Sequence, residues 1–305
     1  MDFHLVIVHV GEHYFRDTYI FDCIEQYRIF NSIDKSIIHL LVQTDNYNRL
    51  ELEWGKRFRE ELNVKLVNID LIPKSDLHID FNNKSILDKG SMNGFWHFAA
   101  ERFFALHDYA KEYKLERIFH IEYDNLIYYD LSKLLPVFLE HYKHSGVTIT
   151  DPTRVIAGII YFNDADSIYD IVNCFNECSR IYSNEMLMLR HYHNNNPDKM
   201  KTLPILNKNY TFGCSDMYIN HSEDFNVIFD ANCIGQYVGG IDIFAGNSGE
   251  GHINHPSEGY VVHPQLINLH WKTNENNLKV PYACDVPIVN LHIHSKNLKK
   301  WRSDA

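Results

Sequence analysis

The feature that most constrains the fold is an alternation of short apolar runs with longer amphipathic segments across the first 150 residues. Residues 3–10 are largely apolar, as in a strand buried on both faces, and Gly11 ends the run. Buried strands that alternate with helices predict an α/β fold, with a mostly parallel central sheet and helical crossovers. The further predicted strands lie at 36–43, 64–69 and 118–122, and the predicted helices at 14–30, 50–62 and 94–112.

The second half of the chain is less regular. A strand is predicted at 155–162 and helices at 164–182 and 184–191. Either Ser183 or Asn184 would cap the last of these helices, because both side chains accept hydrogen bonds from first-turn amides. The final quarter of the chain is rich in Gly, Asn and Pro, which predicts long functional loops.

Composition excludes several classes of protein. The formal net charge of -11 argues against a nucleic-acid binder that is held by phosphate contacts. No basic segment precedes the first apolar run, and no run approaches the roughly 20 residues of a membrane span. The six cysteines include no Cys-x-x-Cys pair, so we expect reduced thiols in a cytoplasmic protein. Cys174 and Cys178 have helical i, i+4 spacing, but the sequence shows no matching ligands for zinc.

Two carboxylates stand one residue apart where the strand at 118–122 ends. In a strand, Glu122 and Asp124 would point to the same side and repel each other unless a cation lay between them. Ligands of parallel sheets bind beyond the carboxyl ends of the strands, and Mg²⁺ and Mn²⁺ prefer oxygen ligands. This pair therefore indicates either a metal site or an ordinary solvated strand end.

A second candidate motif is the C-terminal VNLHIHSKNLKKW. His292 and His294 would share one face of a strand, where both rings could ligate a metal or one could pack instead. Lys296 follows closely and could neutralise a diphosphate. The alternative interpretation is a C-terminal strand with a basic tail.

In their order along most of the chain, these motifs resemble those of GT-A fold nucleotide-sugar glycosyltransferases. Within this family, the order of the motifs is most similar to that in glycogenin and the lipooligosaccharide galactosyltransferases. The segments that carry the resemblance are AERFFALHDYAKEYKLERIFHIEYDNLIYYDL, IAGIIYF, SNEMLML and LHIHSKNLKKW. The resemblance implies one GT-A domain over residues 1–305, with a nucleotide-binding half at 1–150 and an acceptor half at 151–305.

The resemblance also implies a metal and diphosphate site. Asp124 and His294 would bind Mn²⁺ or Mg²⁺, Glu122 would contact the metal or the ribose, and Lys296 would contact the diphosphate. The family usually has Asp where this chain has Glu122, and a Gly between its C-terminal His and Lys. The expected donor is a nucleotide-diphosphate sugar, with a UDP-sugar as the first expectation.

Further positions would contact the nucleotide or the sugar. By resemblance, Val10 and Gly11 would lie at the base and ribose, and Arg102 near the nucleotide. Gly158, with Ala157 before it, would leave room for the donor sugar. In the family an Asn precedes these two small residues, whereas this chain has Ile. Gln236 could donate to a sugar hydroxyl, independently of the resemblance.

An inverting enzyme of this kind would also need a carboxylate base on the acceptor hydroxyl. The candidates are Glu185, Asp216 and Asp242, and Glu185 comes first because it opens a helix at the right point of the motif order. Its alternative role is that of a first-turn acid favoured by the helix dipole.

The sequence thus predicts a metal-dependent glycosyltransferase that acts on a glycan or glycoconjugate, with no nucleic-acid partner and no transmembrane segment. Three alternatives stay open: a non-catalytic relative that binds nucleotide sugars, a sugar-phosphate nucleotidyltransferase, and a metallohydrolase built on His292 and His294. The nucleotidyltransferase would usually need a Gly-rich basic loop after the first strand, and VGEHYFRD has one Gly.

Overall fold

A central seven-stranded sheet organises the chain in a computed structural model. The structure describes residues 2–11, 17–90, 94–210, 215–238, 262, 267–293 and 297–305. The strands of the sheet are β1 (Phe3–Val8), β2 (Ser36–Val42), β3 (Val64–Asn68), β4 (Glu116–Ile121), β6 (Ser145–Asp151), β7 (Arg154–Asp164) and β8 (Met200–Thr202), in the order β3-β2-β1-β4-β7-β6-β8.

The first four strands of this sheet are parallel to one another, as the alternating pattern predicts. β7 runs antiparallel to both of its neighbours, and β8 is parallel to β6. The side chains of β1 and β2 are almost all buried, which explains why these strands are apolar at consecutive positions and do not alternate. The predicted α/β class with a mostly parallel sheet is therefore confirmed.

Helices cover both faces of the sheet. Where a helix was predicted, its bounds differ from the predicted ones by up to six residues, and three of the helices given next had no predicted counterpart. The helices are α1 (Asp17–Phe30), α2 (Thr44–Glu60), α3 (Asp76–Lys84), α4 (Phe95–Glu112), α5 (Leu131–His141), α6 (Ala165–Cys178), α7 (Glu185–Asn195) and α8 (Ser222–Phe225). α4 is buried along most of its length, from His97 to Ala110. Asn184 rather than Ser183 caps α7, because its Oδ1 accepts a hydrogen bond from the amide of Leu187 at 3.0 Å.

A small second sheet joins the C-terminal segment to the centre of the fold. It pairs β5 (Asn125–Ile127) with β12 (Asn290–His292) in antiparallel register, with His292 opposite Asn125. The amide of Ile293 continues this pairing by donating to the carbonyl of Asp124 at 2.9 Å. Residues that are about 165 positions apart in sequence thereby become neighbours.

The remaining strands form a three-stranded antiparallel sheet of β9 (Leu269–Thr273), β10 (Lys279–Ala283) and β11 (Val286–Pro287). Among the described residues, no helix has both the length and the apolar character to cross a membrane.

Candidate functional site

The two candidate carboxylates lie in a turn and not in a strand. β4 ends at Ile121, and the amide of Asn125 donates to the carbonyl of Glu122 at 3.1 Å to close the turn. The amide of Glu122 in turn donates to the carbonyl of Gly158 on β7 at 3.1 Å. The expectation that strand geometry holds both side chains on one face is wrong in its detail, although the turn still brings the carboxylates together.

His292 completes a cluster with these carboxylates. Its Nε2 lies 3.0 Å from Oδ1 of Asp124 and 3.4 Å from Oε2 of Glu122. One ligand atom from each of these three residues lies within 4.8 Å of the other two. The resemblance assigns the ligand role to His294, which lies outside the described residues together with Lys296, so those two assignments stay predictions.

Arg102 comes from α4 and lies against the cluster, and its predicted place near a nucleotide stays a prediction. Its Nη1 donates to Oε1 of Glu122, and its Nη2 lies 3.8 Å from Oε1 of Glu185. Burial alone would lower the pKa of this guanidinium, but the two glutamates reverse that effect and raise it. Arg102 is therefore a fixed positive charge between two acidic groups.

Glu185 is the first residue of α7 and is only 4% exposed. Burial raises the pKa of Glu185 from 4.5 to about 7; Arg102 partly opposes this rise and Glu122 adds to it. A carboxyl group that titrates near neutral pH can both accept and return a proton, which is the property of a general base. The structure thus brings the first-ranked base candidate to the cluster.

Of the other two base candidates, Asp216 is not brought to the cluster. Asp216 lies exposed in a short 3₁₀ helix, Asp216–Tyr218, and so lacks the burial that perturbs Glu185. Asp242 falls outside the described residues.

The charges of the cluster favour a divalent cation. The carboxylates of Glu122 and Asp124 and the partly ionised Glu185 face one guanidinium, which leaves between one and two negative charges when the imidazole is neutral. Burial would raise the pKa of Glu122, but Arg102 holds it below the ordinary value, with a further contribution from His292 when that ring is protonated, so Glu122 stays ionised. Two carboxylates and an imidazole are a donor set that suits Mn²⁺, and Mg²⁺ through its preference for oxygen.

A buried aspartate positions β12, the strand that carries His292. Asp230 is fully buried and accepts four backbone amides, from Cys233 and Ile234 at 2.9 Å, from Gly235 at 2.8 Å and from His292 at 3.0 Å. The amide of Asp230 donates to the side chain of Asn290 at 3.1 Å. These bonds fix β12 against the loop that precedes the 3₁₀ helix Gly235–Tyr237.

Two glycines allow this close packing. A Cβ on Gly235 would lie 2.4 Å from both the backbone N and O of His292, so only glycine fits. A Cβ on Gly158 would lie 3.1 Å from the side chains of Asn125 and His292. The space at Gly158 is thus filled by the groups that support the cluster, and its predicted contact with a donor sugar stays a prediction.

The end of β1 also reaches the cluster, through His9. Nδ1 of His9 contacts the hydroxyl of Tyr123 at 3.1 Å, inside the Glu-x-Asp turn, and Nε2 contacts the carbonyl of Gly11 at 2.7 Å. Burial lowers the pKa of His9 to about 4, although the bond to Gly11 opposes this, so the imidazole is neutral at pH 7. His9 ties the first strand to the turn.

Val10 lines a small cleft beside α4, and Gly11 follows it in the chain. Gly11 has a φ of 104°, and its amide donates to Oε1 of Gln43 at 2.8 Å. The cleft is lined by Val10, Gln43, Ile69, Asp70, Ile72, Lys74, His78, Glu101, Ala105 and Asp108. The predicted contacts of Val10 and Gly11 with a base and ribose stay predictions.

Gln236 is fully buried in the 3₁₀ helix that packs on β12. Its predicted contact with a sugar hydroxyl stays a prediction, because the buried side chain would have to be uncovered first.

Two residues that support the site, Asp230 and His9, were not predicted from the sequence. Asp230 has the pattern of a loop residue in FDANC, and His9 is one polar position in an apolar strand. The signal that marks them is structural, since each is a buried polar group bonded to the segments that carry the site.

Solved structures share parts of this fold at low identity. Mouse xyloside xylosyltransferase 1 in its apo form matches with 9% identity and a TM-score of 0.49, over 74% of this chain and 93% of that chain. Galactosyltransferase LgtC in complex with donor and acceptor sugar analogs matches with 13% identity and a TM-score of 0.43, over 73% and 82%. A cytidylyltransferase from Leptospira borgpetersenii matches with 12% identity and a TM-score of 0.38, over 68% and 76%.

Two of these three are glycosyltransferases, the class that the motif order of this chain resembles. With every TM-score below 0.5, these similarities say nothing about what this chain binds. No family model and no curated protein match the chain.

Proposed function

We propose that this protein is a metal-dependent glycosyltransferase that moves a sugar from a nucleotide-diphosphate donor to a hydroxyl group of a glycan or glycoconjugate. The observation that supports the proposal most strongly is the convergence of Glu122, Asp124 and His292 beside Arg102 and Glu185, at the carboxyl end of β4. That is the edge of a parallel sheet where ligands bind.

The residues present fit a divalent ion. Asp124 and His292 would hold Mn²⁺ or Mg²⁺, with Glu122 as a further ligand or as a contact to the nucleotide. When bound, such an ion supplies Lewis-acid stabilisation of the negative charge on a leaving diphosphate. The cluster has a net negative charge, as has the whole chain at -11, so an anionic donor would be repelled unless a cation bound with it.

Glu185 would act directly on the acceptor, and Arg102 would act through the two glutamates that it contacts. In transfer, the bond from the anomeric carbon to the diphosphate oxygen breaks, and a bond from that carbon to the acceptor oxygen forms. The proton of the acceptor hydroxyl passes to the Glu185 carboxylate, and the nucleoside diphosphate leaves with the bonding pair. Arg102 keeps Glu122 ionised and limits the rise in the pKa of Glu185, so that a fraction of Glu185 is ionised near neutral pH.

A sugar-phosphate nucleotidyltransferase is the second candidate, since it would use a similar cation and a similar edge of the sheet. Substrates and products separate the two reactions. A nucleotidyltransferase joins a nucleoside triphosphate to a sugar phosphate and releases diphosphate, whereas a glycosyltransferase consumes a nucleotide sugar and releases a nucleoside diphosphate.

The test is a panel of nucleotide sugars with Mn²⁺, in which donor binding and slow donor hydrolysis are measured in the wild type and in Asp124→Ala. We expect one or a few donors to bind only with the metal and to release a nucleoside diphosphate, and we expect Asp124→Ala to lose both properties. Metal-dependent binding without hydrolysis or transfer would support a non-catalytic relative. An Asp124→Ala variant that binds and turns over donor like the wild type would overturn the site.

A further inference from the structure

A second cluster of metal-ligating side chains lies away from the proposed active site, between α6 and α7. Cys174 and Cys178 are one turn apart on α6, with their sulfur atoms 3.5 Å apart. His191 on α7 brings an imidazole nitrogen to within 4.8 Å of both sulfurs. The sequence places the two thiols at helical spacing, and only the packing of the two helices supplies the third ligand.

From this geometry we infer that Cys174, Cys178 and His191 form a binding site for a thiophilic divalent cation, of which Zn²⁺ is the representative, and that the bound ion joins α6 to α7. The Zn–S bond is about 2.3 Å long, so two sulfurs on one tetrahedral ion lie about 3.8 Å apart. The observed separation of 3.5 Å needs only a small side-chain adjustment. Three protein ligands leave the fourth position to water.

The local connection between the helices already limits how far they can separate. α6 ends at Cys178, and the carbonyl of Cys178 accepts the amides of Ile181 and Tyr182 at 2.8 and 3.0 Å. The segment of six residues between the helices therefore turns tightly, and α7 returns against α6. An ion bound at this end would add a crosslink beyond the turn and would reduce the freedom of α7.

The ring of His191 is held near the thiols by polar neighbours. Its Nδ1 contacts the hydroxyl of Tyr182 at 3.0 Å, and its Nε2 contacts the side-chain amide of Asn195 at 3.3 Å. A bound ion would replace one of these contacts and leave the other to orient the ring. Cys174 and His191 are both partly exposed, so an ion can reach the site without unfolding of the helices.

This site is independent of the proposed glycosyl transfer, and its test uses a signal that only cysteine ligands give. The reduced, metal-free full-length protein is titrated with Cd²⁺ while the ultraviolet charge-transfer band of cadmium thiolate is recorded. We expect the band to saturate at one Cd²⁺ per chain and Zn²⁺ to remove it by competition. Asp124→Ala should give the same band, which separates this site from the carboxylate cluster.

Cys174→Ser, Cys178→Ser and His191→Ala should each weaken Cd²⁺ binding more than about 100-fold, because even outer-shell partners of a metal contribute 10–100-fold. Cys284→Ser is the matched control, since Cys284 is a partly exposed thiol outside the cluster, and its titration should match that of the wild type. Cys174 is also partly exposed, so its serine variant keeps the test valid if Cys178→Ser does not fold.

A structural role for the ion gives a second measurement. At Zn²⁺ a hundredfold above its Kd, the thermal midpoint of Asp124→Ala should rise by about 5 °C, and that of Asp124→Ala with Cys174→Ser should not rise. The inference is overturned if no thiolate band forms at stoichiometric Cd²⁺, or if the band survives in Cys174→Ser and in His191→Ala.

Discussion

Replacing Glu185 with glutamine should change how stability depends on pH, in a direction that the site geometry fixes. Glu185 is 4% exposed and has a pKa of about 7 in the folded chain, against an ordinary value of 4.5. Between these two values the folded chain holds a proton that the unfolded chain has lost. Stability from this group is therefore fully present below pH 4.5, falls as pH rises, and is lowest above pH 7.

The size of the effect follows from the two pKa values. At about 1.36 kcal/mol per pKa unit, the rise from 4.5 to about 7 costs the folded state about 3 kcal/mol once Glu185 is ionised. A glutamine side chain has the same shape and never ionises, so the variant avoids this cost. Between pH 5 and pH 8 the wild type should lose about 2–3 kcal/mol of stability relative to Glu185→Gln.

The assay is urea denaturation of both proteins in EDTA at several pH values, with Glu53→Gln, an exposed glutamate of α2, as the control. The difference in unfolding free energy between wild type and Glu185→Gln should change with pH, whereas that of the control should stay constant. A constant difference between wild type and Glu185→Gln would show that Glu185 titrates normally, and would remove the reason for ranking it as the base.

Three further substitutions test the packing around the cluster. Gly235→Ala should destabilise the folded protein by about 2–3 kcal/mol and weaken Mn²⁺ binding, because the new Cβ would lie 2.4 Å from the backbone of His292. Gly90→Ala is the control, since its Cβ would meet only a side-chain oxygen at 3.5 Å, and its denaturation should match that of the wild type. Arg102→Met should lower the free energy of unfolding in EDTA by about 3–5 kcal/mol, since it leaves buried carboxylates uncompensated, and Mn²⁺ should restore part of that stability. No rescue by Mn²⁺ would argue against a cation at this cluster. Asp230→Asn should lose two of the four hydrogen bonds from backbone amides, at about 1–3 kcal/mol each. Hydrogen exchange should therefore accelerate at the amides of residues 233–235 and 292, and unchanged exchange would refute the positioning role.

The sheet was predictable because its strands are buried on both faces. A strand such as β1 has no solvent face, so consecutive positions are apolar, and this signal is local in the sequence. α3 was not predicted, since it is short and buries only His78 and Phe81, which is too few positions to establish a helical period.

The candidate site was predictable in part. Glu122 and Asp124 stand out because polar residues interrupt an apolar run, and Arg102 and Glu185 stand out from their places in the motif order. The geometry that joins them was not predictable. An HxH motif puts both rings on one face of a strand, so the sequence could not show that the described contacts involve His292. These contacts depend on the pairing of β12 with β5.

The central claim is that Asp124 and His292 bind one divalent cation, and Mn²⁺ binding measured by electron paramagnetic resonance tests it most directly. Free Mn²⁺ is counted in titrations of the wild type, of Asp124→Asn, and of Asp76→Asn, an exposed first-turn acid of α3, as the control. The account predicts one bound Mn²⁺ in the wild type and in the control, a nitrogen coupling that His292→Gln removes, and a loss of affinity in Asp124→Asn of more than about 100-fold. Equal Mn²⁺ affinity in the wild type and in Asp124→Asn would contradict it.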